Sequence, residues 1–215
     1  MGYLFLDIET YSAPNNPESS FNPYLPESKV LVISYSYYPG FKPPTREEIK
    51  PPVFLKEWEV GEVGILQRFY GELERICQQD SIKHLTIVGY NILKFDLPYL
   101  FGRMTHHRIA PEQDLYRALF QTWGLDMFQL SPVINEKVPE VERLWGVGQK
   151  AANRFFNLQV KEGTGLDCSR YYDAGQYDLI MKYCTEEFTF EQLLDAMYLH
   201  IRDVVMKNQA KNPPH

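Results

Sequence analysis

The sequence predicts an α/β fold. Short apolar segments typical of strands alternate with longer segments in which apolar residues recur at helical spacing, a pattern typical of layered α/β proteins. The 215 residues are 44% hydrophobic and 23% charged, which is ordinary for a globular protein and excludes a wholly disordered or collagen-like chain. We expect residues 1–207 to form one domain and residues 208–215 to form a flexible tail.

Three predicted strands come first along the chain. Residues 2–8 form an apolar run that ends in acids, which predicts a strand buried on both faces. Residues 29–38 are β-branched and aromatic and predict a second strand, and a third is expected at 52–59. Between them, residues 12–28 are rich in Ser, Asn and Pro and predict a loop. Residues 39–52 hold five of the fifteen prolines and predict a surface loop or hairpin tip, with a polyproline ligand as the alternative.

The rest of the chain is predicted to be mostly helical. Residues 61–79 place five apolar side chains on one helical face: Ile65, Leu66, Phe69, Leu73 and Ile76. After this helix we expect, in order, a strand at 84–90, helices at 95–104 and 112–122, a strand at 124–130 and a long helical stretch at 176–207.

Composition excludes several classes of protein. Cys77, Cys168 and Cys184 are widely spaced and form no CxxC pair, so we expect reduced thiols rather than zinc or redox chemistry. No apolar run approaches the roughly 18 residues of a membrane span, and the N-terminus lacks the basic region of a signal peptide. We therefore expect a cytoplasmic protein without membrane contact, associated with the nucleoid if its source is prokaryotic. The net charge of −6 argues against general phosphate binding, so a role with nucleic acids must account for the acidity.

The first acidic motif is LFLDIET, which contains Asp7 and Glu9. Positions i and i+2 of a strand point the same way, so the two carboxylates lie side by side. Burying such a pair without a partner is costly, and a divalent cation such as magnesium or manganese resolves the repulsion. The alternative is a strand that ends in solvated acids.

The second motif, GYNILKFDLPYLFGR at 89–103, contains Asn91, Phe95 and Asp96. It follows a predicted strand and opens a helix, which is where α/β sheets place ligands. Phe95 is suited to stack on a base, and Asn91 to hold the sugar-phosphate of a terminal nucleotide. The alternatives are a helix cap for Asp96, a turn position for Asn91 and a core position for Phe95.

The third motif is YDLIMKYCTEEF at 177–188. Tyr183 and Glu187 are four residues apart and share one face of the predicted helix, whereas Glu186, at a spacing of three, is off this register. The alternative is a helix with a buried tyrosine and an exposed acidic pair.

The order D-x-E, N-x-x-x-F-D and Y-x-x-x-acid resembles the DEDD 3′–5′ exonucleases, in their tyrosine branch. The residues of these motifs are most similar to those of the proofreading domain of family-B DNA polymerases, and the resemblance extends from about residue 3 to residue 190. The resemblance implies a ribonuclease H-like fold, with a mixed central β-sheet flanked by α-helices, in a free-standing exonuclease. The chain departs from the family at Glu187, where the fourth acid is normally Asp.

The resemblance also implies two divalent metal ions, Mg²⁺ or Mn²⁺, and a role for each acid. Asp7 would bridge both ions, Glu9 and Glu187 would hold the ion that activates water, and Asp96 would help to hold the second ion, in part through water. Tyr183 would orient the attacking water, because a phenol with a pKa near 10 is a poor base.

Further residues are implied to contact substrate. The terminal nucleotide would meet Thr10 and Leu97 in addition to Asn91 and Phe95, and a lysine, Lys150 or Lys161, would touch the scissile phosphate. Five basic residues within and just after the second motif either line the groove or form a solvated helix end: Lys94, Arg103, His106, His107 and Arg108.

The sequence thus predicts a metal-dependent 3′–5′ exonuclease that acts on single-stranded DNA ends and releases mononucleotides. The alternatives are an exoribonuclease and a catalytically weak module that binds nucleic-acid ends, the latter because of Glu187. Replication or repair proteins are the expected protein partners.

Overall fold

The computed structural model describes residues 1–79, 85–137 and 146–211, and its centre is a mixed five-stranded sheet. The strands, in the spatial order β3-β2-β1-β4-β5, are β1 (Gly2–Thr10), β2 (Val30–Pro39), β3 (Val53–Lys56), β4 (Leu85–Gly89) and β5 (Trp123–Asp126). β1 is antiparallel to β2 and β2 to β3, whereas β1 is parallel to β4 and β4 to β5. The predicted α/β fold is confirmed.

Eight α-helices are present in the described residues, and they cover both faces of the sheet. They are α1 (Glu57–Gln79), α2 (Asp96–His106), α3 (Glu112–Phe120), α4 (Met127–Leu130), α5 (Gln149–Phe155), α6 (Gly165–Asp173), α7 (Tyr177–Glu187) and α8 (Phe190–Lys211). Short 3₁₀ helices lie at Pro17–Ser20, Arg46–Glu48 and Ser131–Lys137.

The central strand β1 is buried on both faces, as its apolar run predicts. Leu4 and Leu6 pack with α1, α2 and α3 in one hydrophobic cluster. Phe5 points the other way and packs with Met127, Val147 and the first turns of α8. Because side chains alternate along a strand, Asp7 and Glu9 lie on the same face as Phe5. The helices α6 and α7 pack nearby, against Leu31 and Val32 of β2.

Two predicted strands are shorter than expected. The segment 52–59 leaves the sheet at Lys56, and α1 begins at Glu57 and is interrupted at Gly61, whose φ of 75° is readily adopted only by glycine. The segment 124–130 ends as a strand at Asp126, because the Asp126 carboxylate accepts a hydrogen bond from the Phe128 amide and so caps α4.

The predicted long helix at 176–207 is divided into α7 and α8. The break at Phe188 and Thr189 makes Glu187 the last residue of α7. The predicted flexible segment 208–215 overlaps α8, which extends to Lys211, and residues 212–215 lie outside the described residues.

The proline-rich segment 39–52 connects the antiparallel strands β2 and β3, as predicted for a hairpin tip. It contains a 3₁₀ turn in which Thr45 and Glu48 form a capping box. Within the described residues, none of the helices combines the length and apolar character that a membrane crossing requires.

Candidate active site

Three carboxylates from two distant parts of the chain meet beside the sheet. Asp7 and Glu9 project from β1, and Glu187 projects from the C-terminal end of α7. One carboxylate oxygen of each lies within 4.8 Å of the others. Glu9 and Glu187 are only 6% exposed, whereas Asp7 is half-buried. The arrangement follows from the i, i+2 spacing on β1 and from the packing of α7 beside it.

The local structure of α7 explains why Glu187 faces this cluster. Tyr183 and Glu187 are both buried on one side of the helix, as the spacing of four residues predicts. Glu186 is instead half-buried outside the three-carboxylate cluster and pairs with Lys182 at 3.7 Å. At the helix end, the Glu187 carbonyl accepts hydrogen bonds from Gln149 Nε2 at 3.0 Å and from the Thr189 amide at 2.8 Å. The alternative of an exposed acidic pair is therefore not observed.

Asp96 joins the second motif to β1. It is 4% exposed, and its Oδ1 accepts a hydrogen bond from the Ile8 amide at 3.0 Å. Phe95 occupies the N-cap position of α2, so Asp96 does not serve as the predicted alternative, a helix cap. Asp96 lies outside the three-carboxylate cluster, but its charge acts on Asp7.

The electrostatics of these acids reflect crowding and burial. Burial raises the pKa of Glu9 to about 7 and, with help from nearby acids, that of Asp96 to about 7. The pKa of Asp7 lies well above its usual range because of burial and of the charges on Asp96 and Glu9. In a low-dielectric environment each carboxylate disfavours the ionisation of the next, so the group is stabilised by protons or by a cation.

Lys161 is the lysine that the structure places at the cluster. Its Nζ contacts Glu187 Oε1 and lies 4.6 Å from the centre of the Tyr183 ring. Lys150, the other candidate, donates a hydrogen bond to the Gly163 carbonyl instead. Of the two candidate lysines, Lys161 is therefore the one that reaches the acids. Neither lysine stands in a motif, so only long-range packing distinguishes them.

The second Glu187 oxygen, Oε2, is buried and accepts no hydrogen bond within the described part of the chain. A buried acceptor without a donor is costly, and native proteins rarely leave one unless a water, an ion or a ligand completes it. This oxygen is therefore open to a ligand, and an oxygen-rich cluster of this kind is chemically suited to a divalent cation.

Sequence reasoning missed two residues that support the motifs. Cys168 of α6 is fully buried, and its thiol acts on the Glu9 carboxylate, where it partly opposes the burial that raises the Glu9 pKa. Asp126 accepts hydrogen bonds from the amides of Asn91 at 2.8 Å and Leu93 at 3.3 Å, and so holds the turn that begins the second motif. A lone cysteine carries no sequence signal for such a contact, and Asp126 was hidden within a segment interpreted as a continuous strand.

A pocket of about 320 Å³ lies next to Glu9. Its walls include Thr10, Phe21, Phe95, Gly165 and Leu166. The rings of Phe21 and Phe95 meet edge to face, with centroids 6.1 Å apart. The structure therefore brings two of the predicted nucleotide contacts, Thr10 and Phe95, to a concave surface beside the acids.

Other predicted substrate contacts lie elsewhere. Leu97 is 1% exposed and packs in the core beneath α2, where it offers no surface to a nucleotide. Asn91 is in a turn with a φ of 61°, consistent with its alternative as a turn residue. Of the basic residues after the second motif, Arg103 is 3% exposed and pairs with Glu62, so it does not line a groove, whereas Lys94, His106 and Arg108 are exposed.

The Tyr183 side chain lies close to the acids, since the charges of Glu9 and Asp7 act on its hydroxyl group. Burial and the neighbouring charges of Glu9 and Asp7 raise the Tyr183 pKa above its usual range. The hydroxyl is protonated at neutral pH, as an ordinary phenol is, and is available as a hydrogen-bond donor.

No protein-family model matches the sequence, and no curated protein matches it. Among solved structures, the family B DNA polymerase of the archaeon Pyrobaculum calidifontis is similar, with a TM-score of 0.54 and 15% identity over 96% of this chain and 24% of the polymerase. E. coli exonuclease I in complex with a dA16 oligonucleotide gives a TM-score of 0.39 and 14% identity over 65% of this chain and 31% of that one.

A zinc-bound E. coli exonuclease I complex with single-stranded DNA gives a TM-score of 0.41 and 14% identity over 67% and 33% of the two chains. The chain thus spans about a quarter of the polymerase and about a third of exonuclease I. The likeness to the polymerase is one of fold, and with the mixed sheet it confirms the predicted ribonuclease H-like α/β architecture.

Proposed function

We propose that this chain is a metal-dependent 3′–5′ exonuclease that hydrolyses phosphodiester bonds at the ends of single-stranded DNA and releases mononucleotides. The observation that carries the proposal is the convergence of Asp7, Glu9 and Glu187 from separate motifs into one buried cluster. An acidic cluster alone has many explanations. Here the three motifs also match the exonuclease pattern in order, and the fold is the one that the resemblance implies.

The residues present fit the implied metal ions. The cluster offers hard oxygen ligands, one of which is a buried oxygen without a donor, Glu187 Oε2. Asp7, Glu9 and Glu187 would hold the ions, and Asp96 would contribute the oxygen that the Ile8 amide does not occupy. When bound, Mg²⁺ or Mn²⁺ would supply an activated water and neutralise charge on the phosphate.

The protein's own groups account for positioning. The Tyr183 hydroxyl, kept protonated by its raised pKa, would donate a hydrogen bond to the attacking water or the phosphate. The pocket beside Glu9 would receive the terminal nucleotide, with a base against Phe95 and the exposed ring of Phe21. A single-stranded end needs only this short surface, so the acidic net charge is no obstacle.

The test is a time course on matched 5′-labelled DNA and RNA strands in EDTA, Mg²⁺ or Mn²⁺. We expect a metal-dependent ladder that shortens from the 3′ end, and the faster strand identifies the substrate. Asp7→Asn and Glu187→Gln should each slow hydrolysis by about 10²–10³-fold, the usual cost of removing one transition-state contact. Glu186→Gln is the matched control, because Glu186 pairs with Lys182, is not one of the three clustered carboxylates and should leave the rate near that of the parent.

A second candidate function is a catalytically weak module that binds nucleic-acid ends. It is favoured by the contact of Lys161 with Glu187, which engages the acid that departs from the family pattern. A parent protein that binds strands but produces no ladder, beside a Glu187→Asp variant that does, would support this candidate and refute the exonuclease proposal.

A further inference from the structure

Lys161 and Glu187 form an ion pair inside the site. The Lys161 side chain is 15% exposed and the Glu187 side chain 8% exposed, so the pair is largely removed from water. The ammonium also lies over the Tyr183 ring, at 4.6 Å from its centre. Because Tyr183 and Glu187 are one turn apart on α7, a single cation contacts both functional positions of this helix.

The same ammonium acts on the acids of β1. Among the described residues, Lys161 is the cation whose charge opposes the raised pKa of both Asp7 and Glu9. Three clustered carboxylates therefore face one positive charge. This balance is incomplete, and one Glu187 oxygen still has no donor.

We propose that Lys161 is an internal counter-cation that holds Glu187 in the metal-free protein and that a divalent ion must displace it. The inference rests on the proposed metal site. Lys161 lies against Oε1 of Glu187 and the free oxygen is Oε2, so an ammonium and a divalent cation on the two oxygens of this one buried carboxylate would repel each other strongly. The four-carbon lysine stem can adopt several rotamers, and the segment 156–164 that carries Lys161 has no regular secondary structure, so no helix or strand fixes the position of Lys161. Lys161 thus competes with metal and sets the affinity of the site.

The first experiment compares Mn²⁺ binding to the parent, Lys161→Met and Lys161→Arg by calorimetry or by the electron paramagnetic resonance signal of free Mn²⁺. Lys161→Met keeps the length of the side chain and removes the charge, so we expect about tenfold tighter binding. Lys161→Arg retains the charge and should bind no more tightly than the parent. In EDTA, Lys161→Met should melt about 2–4 °C lower, because its acids have lost their counter-charge, and Mn²⁺ should raise its melting temperature more than that of the parent.

The second experiment uses the parent protein, so it does not depend on the folding of a variant. An amine-acetylating reagent is applied in EDTA and in saturating Mn²⁺, and the modification of each lysine is measured by mass spectrometry. Lys161 should become several-fold more reactive with Mn²⁺, whereas Lys182, whose side chain is 68% exposed, should not change.

The outcomes separate the two proposals. Mn²⁺ that binds the parent and Lys161→Met equally, or acetylation of Lys161 that Mn²⁺ leaves unchanged, overturns the counter-cation role but not the metal site. Failure of Mn²⁺ to bind the parent, Lys161→Met and Lys161→Arg alike overturns the proposed metal site and, with it, this inference.

Discussion

Glu62 and Glu187 are buried to a similar degree, at 9% and 6% exposure, but their surroundings differ. Glu62 Oε1 accepts hydrogen bonds from the Val30 amide at 2.9 Å and from Arg103 Nε at 2.8 Å. Its Oε2 accepts one from Arg103 Nη2 at 2.7 Å and lies 2.7 Å from His107 Nε2. Both oxygens are therefore satisfied, whereas Glu187 has one lysine contact and one oxygen without a donor.

The pKa of Glu62 and the pKa of Glu9, in the carboxylate cluster, shift in opposite directions. Burial raises the pKa of Glu62, but the hydrogen bonds from Arg103 and Val30 more than offset it, and the pKa of Glu62 is lowered. In the carboxylate cluster, burial dominates and the pKa of Glu9 rises to about 7. Equal burial thus stabilises the charged form only where donors surround it. The acid with donors on both oxygens, Glu62, supports the fold, whereas the cluster of Asp7, Glu9 and Glu187 is the one that we propose binds metal ions.

The Glu62 cluster also supports the pocket from a distance. Arg103 Nη1 donates a hydrogen bond to the Pro23 carbonyl at 2.8 Å, and the Tyr99 hydroxyl donates one to the Ser19 carbonyl at 2.8 Å. These bonds hold the segment 12–28, which carries Phe21 to the edge of the pocket. The segment 12–28, which the sequence predicted only as a loop, therefore connects the surroundings of Glu62 to the pocket beside Glu9.

The largest expected effect is a loss of stability on removal of Arg103, the main partner of Glu62. Arg103→Met should lower the free energy of unfolding by about 3–5 kcal/mol, because it leaves the buried Glu62 carboxylate without its main partner. Denaturant unfolding measures this change. Arg117→Met is the matched control, since the Arg117 pair with Asp114 is exposed and should contribute no more than about 1 kcal/mol. Equal effects of the two substitutions would contradict the comparison.

The second effect is the pH dependence of stability. The folded pKa values of Glu9 and Asp96, about 7, lie above their unfolded values near 4, so the folded state binds more protons between these limits. In EDTA, stability should therefore fall as pH rises from about 4 to about 7.

The lowered pKa of Glu62 acts in the opposite sense, and its contribution is lost only as pH falls through its folded value. Thermal melting at several pH values, repeated with Glu9→Gln, isolates the carboxylate cluster. A variant with the same pH profile as the parent would show that Glu9 does not titrate as described.

The smallest expected effect is on strand binding at the pocket beside Glu9. Phe21 is 72% exposed, so Phe21→Ala should leave folding unchanged and weaken strand binding by about 1 kcal/mol through lost stacking. Steady-state kinetics should show KM raised about fivefold with kcat nearly constant. Phe41→Ala, at an 82% exposed ring in the β2–β3 connection, is the control, and an equal change there would argue against the pocket.

Local periodicity explains what could be predicted. The i, i+2 spacing of Asp7 and Glu9 and the i, i+4 spacing of Tyr183 and Glu187 each determine a shared face, and the structure shows both. Cys168 and Lys161 could not be assigned, because their approach to the acids depends on how α6 and the segment before it pack on β1. Leu97 was misplaced because the motif specifies its position in a helix but not the direction in which it points.

By itself, the sequence determined the strand and helix types, the α/β class and the acids that carry the candidate chemistry, because these depend on short-range patterns of side chains. Only the folded chain shows which lysine contacts those acids, which carboxylate oxygen lacks a donor and which loop borders the pocket. These features depend on contacts between residues far apart in the chain: Lys161 contacts Glu187 of α7, and Glu187 lies beside Asp7 and Glu9 of β1. Such contacts depend on how distant segments pack, which no local spacing of residues encodes.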